Sequence, residues 1–475
     1  MAGILSYGAY IPMWRISRDE IARASGAPPM GGERAVASWD EDSLVMGVEA
    51  GLDCLSGVDS REVDGLYFAT VSPPFKEKQS ASIVASALDL RKDVYTFDIT
   101  GSLRAATLAV KAAFDMVKAG DAKRVLVIAA DSRRARPNSD FEQTFGDGAA
   151  ALLIGEGENI ADIVGFSTVV NAIPGPWKRE EDIYLNVFDA RLDSKYGLLA
   201  DVTQAVSKLM EKCNTAVKDV SKFALYAPDP RSHVNLARSL QIDRKTQLQD
   251  LMFANVGVTG TPHCLLLLVA ALETARPNEA IVCVSHGEGS DAFLVRTTEK
   301  VQQEKGRHRG TKYISSKMLL PSYGHFAKFK KELDVGDPEW QKGSVTKYWR
   351  DESWALRLYG MRCKGCGTLQ YPISRICMIC GEKDNYEEIR LARKGKVFSF
   401  NHDYLLGPGN MPGDGINPTT RVVADLDDGC RLWLEMTDHE PNEVNIDTPI
   451  ELSLRLLHQR SDYRFYGWKA RLVRE

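Results

Sequence analysis

RVLVIAADSRRARPNSDFEQTFGDGAAALLIG, Arg124–Gly155, decides the fold. It opens on a Val/Ile/Leu-rich run typical of a buried strand and closes, after a Gly-Asp turn, on a second one, AALLIG. The same order returns in EAIVCVSHGEGSDAFLVRT, Glu279–Thr297, and DGLYFAT (Asp64–Thr70) has its counterpart in FALYAPDP (Phe223–Pro230). A repeat of about 150 residues is too long for a solenoid and reads as the duplication of a layered unit. Two such halves commonly pack face to face and form a site between them.

Working outward, VYTFDIT is a further strand, and helical patterns occupy Ser43–Leu55, Ala81–Leu90 and Leu103–Ala119. Strand–helix alternation of this kind predicts a layered α/β architecture. CLLLLVAAL, Cys264–Leu272, falls well short of the roughly 20 residues that span a bilayer and predicts a buried helix. At 475 residues the chain is expected to form two or three domains, and 44% hydrophobic with 26% charged residues fits a globular protein. A net charge of −4 gives no global attraction to nucleic acid or to an anionic membrane. MAGILSYGAYIPMWRISRDE has neither a basic n-region nor the apolar run of a signal peptide, so a cytoplasmic location is expected.

The composition changes at Thr297–Lys317, which is polar and basic and reads as a partly exposed linker. KYWRDESWALRLYG, Lys347–Gly360, is an amphipathic helix candidate. It leads into CKGCGTLQYPISRICMIC, which holds four of the nine cysteines. Cys363, Cys366, Cys377 and Cys380 form two C-x2-C pairs, and two such knuckles supply four thiolates to a tetrahedral zinc ion with no open position. The zinc is therefore expected to be structural. Cys54, Cys213, Cys264, Cys283 and Cys430 lie in apolar contexts and are expected to be reduced and buried. About five alternating runs follow the ribbon and suggest a small OB-type barrel. Such barrels often bind single-stranded nucleic acid, and the tail mixes basic and aromatic residues. Against this, DLDDGC and MTDHEPNEVNID place many acids on the same domain, so nucleic acid is the last of the readings.

FGDGAAALLIG (Phe145–Gly155), ANVGVTGTPHCLLLLVAALETARP (Ala254–Pro277) and VSHGEGSDAF (Val284–Phe293) resemble the 3-hydroxy-3-methylglutaryl-CoA synthase branch of the thiolase superfamily. Ketoacyl-ACP synthase III enzymes are close relatives of that branch. From about Trp349 the chain resembles the zinc-ribbon/OB-fold proteins that accompany archaeal and bacterial thiolases. The resemblance implies an α/β, duplicated thiolase fold (αβαβα layers) followed by a rubredoxin-like zinc ribbon and a small OB-type β-barrel. The expected boundaries are 1–165 and 166–298 for the two halves, 299–345 for a linker, 346–390 for helix and ribbon, and 391–475 for the barrel. It also implies an acyl-CoA substrate, a homodimer, and a possible separate thiolase-type subunit as partner.

Enzymes of that branch use Glu, Cys and His: the cysteine is acylated, the glutamate takes a proton, and the histidine polarises the thioester carbonyl. FDITGSLRAAT, anchored by Phe97 and Thr107, puts Leu103 at the cysteine position. A slip of one residue would bring Ser102 there and break both anchors. Val71 falls at the glutamate position and Tyr226, in YAPDPR, at the histidine position, with Pro228 and Arg231 matching. Asn255 is read as the surviving asparagine that helps polarise a carbonyl.

Leucine forms no acyl-enzyme and valine takes no proton, which leaves two main readings. One is carbon–carbon chemistry on a CoA thioester without a covalent intermediate, with Tyr226 as the acid–base group or as a space-filler. A phenol's pKa of about 10 then calls for a cationic neighbour, Arg231 or Arg104. His263 would orient a carbonyl or sit satisfied at a helix start. Cys264 would be a second nucleophile or simply buried, and Glu142 a surviving acid or a structural one. The other reading is a non-catalytic partner subunit that keeps the CoA site. PGPWKREED, Pro174–Asp182, resembles the family segment beside the CoA entrance, where Trp177 and Lys178 would meet CoA and its phosphates, with Arg231 as the third substrate-binding candidate. The arginines of DSRRARP (Asp131–Pro137) have family counterparts or merely cover the surface.

Overall fold

The structure is a computed structural model that describes residues 2–304, 306–333, 344–405, 414–460 and 463–474. It divides into two compact units. The first is Met1–Ala37, Asp42–Ala85 and Leu90–Phe326; the second is Ser38–Glu41, Ser86–Asp89 and Ala327–Glu475.

The first unit is built on nine strands: β1 (Ala2–Tyr10), β2 (Gly65–Ala69), β3 (Tyr95–Ile99), β4 (Arg124–Asp131), β5 (Gly148–Glu156), β6 (Ala161–Val170), β7 (Lys222–Leu225), β8 (Ala280–Gly287) and β9 (Gly289–Thr297). Their order is β3-β2-β4-β5-β1-β6-β9-β8-β7. β2 runs parallel to β3 and β4, and β7 parallel to β8, whereas β4/β5 and β8/β9 are antiparallel. Reading outward from the β1–β6 pairing, each half thus repeats the other, as the duplicated sequence predicts. Val125–Ala130 of β4 and Ile281–Val284 of β8 are fully buried, which is why both read as continuous apolar runs rather than alternating ones.

Six helices of this unit matter for the site: α1 (Ser43–Cys54), α2 (Ser80–Ala87), α3 (Ala105–Ala119), α4 (Ala200–Lys212), α5 (Pro230–Ser239) and α6 (His263–Thr274). α3 and α6 are the central pair. Each packs against strands of both halves: α3 on β2, β4, β5 and β9, and α6 on β1, β5, β7 and β8. α6 buries every residue from His263 to Leu272, consistent with its uninterrupted apolar run. α5 starts as its sequence dictates, with the Asp229 carboxylate accepting from the Ser232 N–H and Pro230 in the first turn.

Two sequence expectations change. Thr297–Lys317, expected as a partly exposed linker, is partly exposed but also packs into the first unit. His308 and Tyr313 are buried; His308 packs on Tyr7 at 4.8 Å between ring centroids, and the Asp53 carboxylate accepts from the Arg309 and Gly310 N–H groups. Met318–Leu319 then pairs with Trp14–Arg15, so the chain stays in the first unit through Phe326. Some of its polar residues meet buried partners, which composition does not reveal. Residues 334–343, also inside the expected linker, lie outside the described residues. The single helix expected over Lys347–Gly360 is two short ones, Val345–Arg350 and Glu352–Ala355, followed by a strand, Tyr359–Cys363.

In the second unit, Tyr359–Cys363 pairs with Leu369–Gln370 and Tyr386–Arg390 in a three-stranded ribbon. After it come β10 (Lys394–Asp403), β11 (Thr419–Leu426), β12 (Arg431–Glu435), β13 (Pro449–Arg460) and β14 (Tyr463–Leu472), in the order β12-β11-β10-β13-β14. A bridge between Met436 and Ala470 brings the two ends of this sheet together, leaving a nearly closed small barrel. The same unit buries ion pairs on the face of β13 and β14 opposite their apolar residues: Arg455 binds Glu41 and Asp438, and Lys469 binds Asp40 at 3.1 Å.

Candidate functional site

β3 ends at Ile99 and α3 starts at Ala105, so Leu103 sits in the turn between them, half-buried, as the register predicts. Gly101 makes that turn at φ +89°, a conformation that favours glycine. The next residue, Arg104, is buried and directed across the unit. Its guanidinium donates to Asp291 through Nε (3.0 Å) and Nη2 (2.6 Å), to the Glu288 carbonyl and to Thr168 Oγ1. Thr107 Oγ1 also reaches Asp291, at 2.9 Å. Gly287 closes on the same corner: a Cβ there would lie 2.4 Å from Ser102 Oγ. Buried contacts therefore brace the turn that carries Leu103, the residue at the position where the family resemblance implies a cysteine.

The position read as glutamate, Val71, lies in the turn after β2. Its N–H donates to Asp131 Oδ1 at 2.9 Å. That buried carboxylate also accepts from Thr70, from Ser72 through both its N–H and its hydroxyl, and, on Oδ2, from the Thr261 N–H at 2.8 Å. It thereby ties the loop after β2 to the loop before α6.

Tyr226 follows β7 and is buried, with its N–H donating to the Val284 carbonyl. Burial pushes its phenol up to about 12, and Arg133 is the cation that opposes the shift. The expectation of Arg104 or Arg231 in that role is corrected: Arg104 is committed to Asp291, and Arg231 is exposed on α5. Tyr226 is thus a proton donor at neutral pH and a poor base. His263 packs edge-on against it, with ring centroids 6.0 Å apart at 88°. Burial, and secondly His233, push His263 down to about 3, so it is neutral. Cys264 is buried, its Sγ turned to the Thr261 carbonyl. Glu142 is structural, accepting from Tyr323 Oη at 2.7 Å and from the Asn138 N–H. Asn255 is exposed on the turn before α6, and no interaction among the described residues joins it to Tyr226 or His263.

Lys178 is drawn below the usual lysine range by burial and by Arg134, Lys76 and Arg133, in that order, with Asp182 opposing. The loop carrying it is braced by Trp177 and Asn186, which exchange backbone hydrogen bonds, and by the Arg179–Asp182 pair. Trp177 is 40% exposed. Arg133 lies over the Phe145 ring at 4.0 Å. Lys76, Arg133 and Arg134 therefore lie close enough to Lys178 to act on its charge. Lys76 and Arg133 are two that the sequence reading did not single out, although DSRRARP had drawn notice.

In the second unit the Sγ atoms of Cys363, Cys366, Cys377 and Cys380 all lie within 4.8 Å of one another, with 363–380 and 366–377 each at 3.6 Å. Tetrahedral zinc with Zn–S bonds of about 2.3 Å requires S···S separations of about 3.8 Å, so the donor set fits the ion. Each knuckle closes on a glycine with φ +75°, Gly367 or Gly381, whose N–H returns to the carbonyl of the first cysteine. The barrel exposes Phe398, Phe400 and Trp433, but the arginines over this face are neutralised: Arg421 by Asp403 and Arg431 by Asp425.

These features define a thiolase-like α/β fold and, in the second unit, a rubredoxin-like zinc ribbon. Residues 97–171 match the 3-oxoacyl-[acyl-carrier-protein] synthase III family, and residues 355–386 match the ChsH2 rubredoxin-like zinc ribbon domain. The hydroxymethylglutaryl-CoA synthase of Methanocaldococcus jannaschii is 30% identical over 346 residues, covering 70% of this chain and 100% of that protein. That of Archaeoglobus fulgidus is 30% identical over 344 residues, covering 70% and 99%. Among solved structures, MvaS in complex with 3-hydroxy-3-methylglutaryl coenzyme A aligns with a TM-score of 0.63 at 18% identity, over 70% of this chain and 91% of that one. The synthase III FabH of Pseudomonas aeruginosa PAO1 aligns at 0.58 and 18% identity, over 62% and 98%. The chain belongs to the hydroxymethylglutaryl-CoA synthase family. No helix among the described residues is long and apolar enough to cross a membrane.

Proposed function

We propose that the first unit binds an acyl-CoA and that the protein makes or breaks a carbon–carbon bond on it without an acyl-enzyme, in an HMG-CoA synthase-like or aldol/retro-aldol step. The observation that carries this is Leu103, held in that braced turn, in a chain of this family. Lys76, Arg133, Arg134 and Lys178 are suited to the phosphates of CoA, with Trp177 as an apolar neighbour. Tyr226 and His263 supply neutral donors to a developing oxyanion. Asn255, exposed, is not part of this proposal. Zinc at the four cysteines would hold the ribbon together and take no part in the chemistry. Four reduced thiolates suit a cytoplasmic setting. β3 is an edge strand that exposes Tyr95 (56%) and Phe97 (49%), and pairing of two such edges supports a homodimer.

A second reading, a non-catalytic partner of a thiolase-type subunit, is favoured by one observation. Val71, Leu103 and the protonated Tyr226 leave none of the three inherited positions with a base or a nucleophile at neutral pH. The test uses purified protein and labelled acetyl-CoA. The expected result is label retained on the native protein and released on denaturation. Label surviving denaturation on Ser102 or Cys264 would sink the non-covalent reading, and turnover by the isolated chain would reject the partner role.

A further inference from the structure

The loop before α6 fixes more of His263 than its charge. The Thr259 backbone N–H, which can only donate, points at His263 Nδ1 at 3.3 Å. Nδ1 is therefore the acceptor, and the neutral ring carries its proton on Nε2. That Nε2–H is buried, with the residue 1% exposed, and has no hydrogen-bond partner among the described residues. Thr261 Oγ1 is in the same position at 0% exposure, as is His233 Nε2 on α5. Buried donors without acceptors are rare in folded proteins and call for a ligand or a water.

The character of the surroundings narrows what that ligand is. The ring of His263 is held neutral and the phenol of Tyr226 is held protonated, both chiefly by burial, so both would meet a ligand as neutral donors. Such donors suit an oxygen that accepts and bears no full charge. The carboxylate of Asp131, which grips the Thr261 N–H and the Val71 loop together, keeps these donors in place.

We propose that His263 Nε2–H and the Thr261 hydroxyl bind the carbonyl oxygen of the acyl group of a bound thioester. The proposal rests on the CoA reading given above. It assigns to the start of α6 a carbonyl-binding pair that the elbow at α3 does not supply.

The experiment measures the binding of three ligands to the full-length protein: CoA, acetyl-CoA and S-ethyl-CoA, the last a thioether without the carbonyl oxygen. One well-placed hydrogen bond predicts that acetyl-CoA binds about ten-fold more tightly than S-ethyl-CoA. His263→Leu should abolish that preference while leaving CoA affinity unchanged. Thr261→Val, nearly isosteric, should reduce it and keeps the test open if the histidine variant misfolds. The carbonyl stretch of bound 13C-labelled acetyl-CoA should lie lower in the wild type than in either variant. Equal affinities for acetyl-CoA and S-ethyl-CoA, with CoA still bound, would overturn this proposal alone. Failure of all three ligands to bind would overturn the CoA reading and this proposal with it.

Discussion

The four-cysteine knuckles and the surroundings of His263 both gather polar side-chain atoms, but they treat them in opposite ways. In the ribbon, every Sγ faces the same point, each knuckle is closed by a backbone hydrogen bond, and the set is complete for one ion. Around the histidine, Nε2 of His263 and Oγ1 of Thr261 face an interior with no partner among the described residues. A site whose donor set is complete fits a structural role; a site with donors to spare fits a passing ligand.

The largest effect should come from breaking the closed site. Cys377→Ser, or stripping the zinc with a chelator, removes binding energy on the order of 10 kcal/mol. The ribbon should lose its protease resistance while acyl-CoA binding persists; loss of both together would deny the two sites their independence. Next is Asp291→Ala, which strands the buried Arg104 guanidinium beside the elbow. Breaking such a pair costs about 3–5 kcal/mol, read as a lowered urea midpoint for the first unit. An unchanged midpoint would mean that the elbow does not depend on the ion pair.

The smallest effect concerns acid. His263 is pushed down to about 3 in the fold against an ordinary 6.5, so below pH 6.5 the unfolded chain binds a proton that the native one refuses. Its contribution is therefore complete above pH 6.5 and is lost as pH falls toward 3, costing about 2 kcal/mol at pH 5. His263→Leu should flatten the stability–pH profile between pH 7 and 4. A slope unchanged from the wild type would show that His263 is already protonated or solvated in the native state.

What could be read from the sequence follows the same divide. The cysteine spacing located the ribbon because a tetrahedral ion demands a fixed local pattern, and the repeated strand–turn–strand runs gave away the duplication. Leu103 was found because Phe97 and Thr107 lie in one continuous segment with it. The surroundings of His263 were harder to read. Arg133, not Arg104 or Arg231, is the cation that acts on Tyr226, and it comes from the loop after β4, far away in sequence. Asn255 looked functional by motif, yet the turn carries it outward. The supposed linker hid His308, which packs on Tyr7 and meets the Asp53 carbonyl 255 residues earlier, and Tyr313, which packs on Tyr10. Contacts between distant segments leave no periodicity to detect.

Asp131 has one consequence beyond holding a shape. Its two oxygens are acceptors for the amides of Val71 and Ser72 on one loop and of Thr261 on another. Neither loop can breathe without loosening the carboxylate that also secures its neighbour. Deuterium should therefore enter these three amides on a common clock, although two of them lie almost two hundred residues from the third.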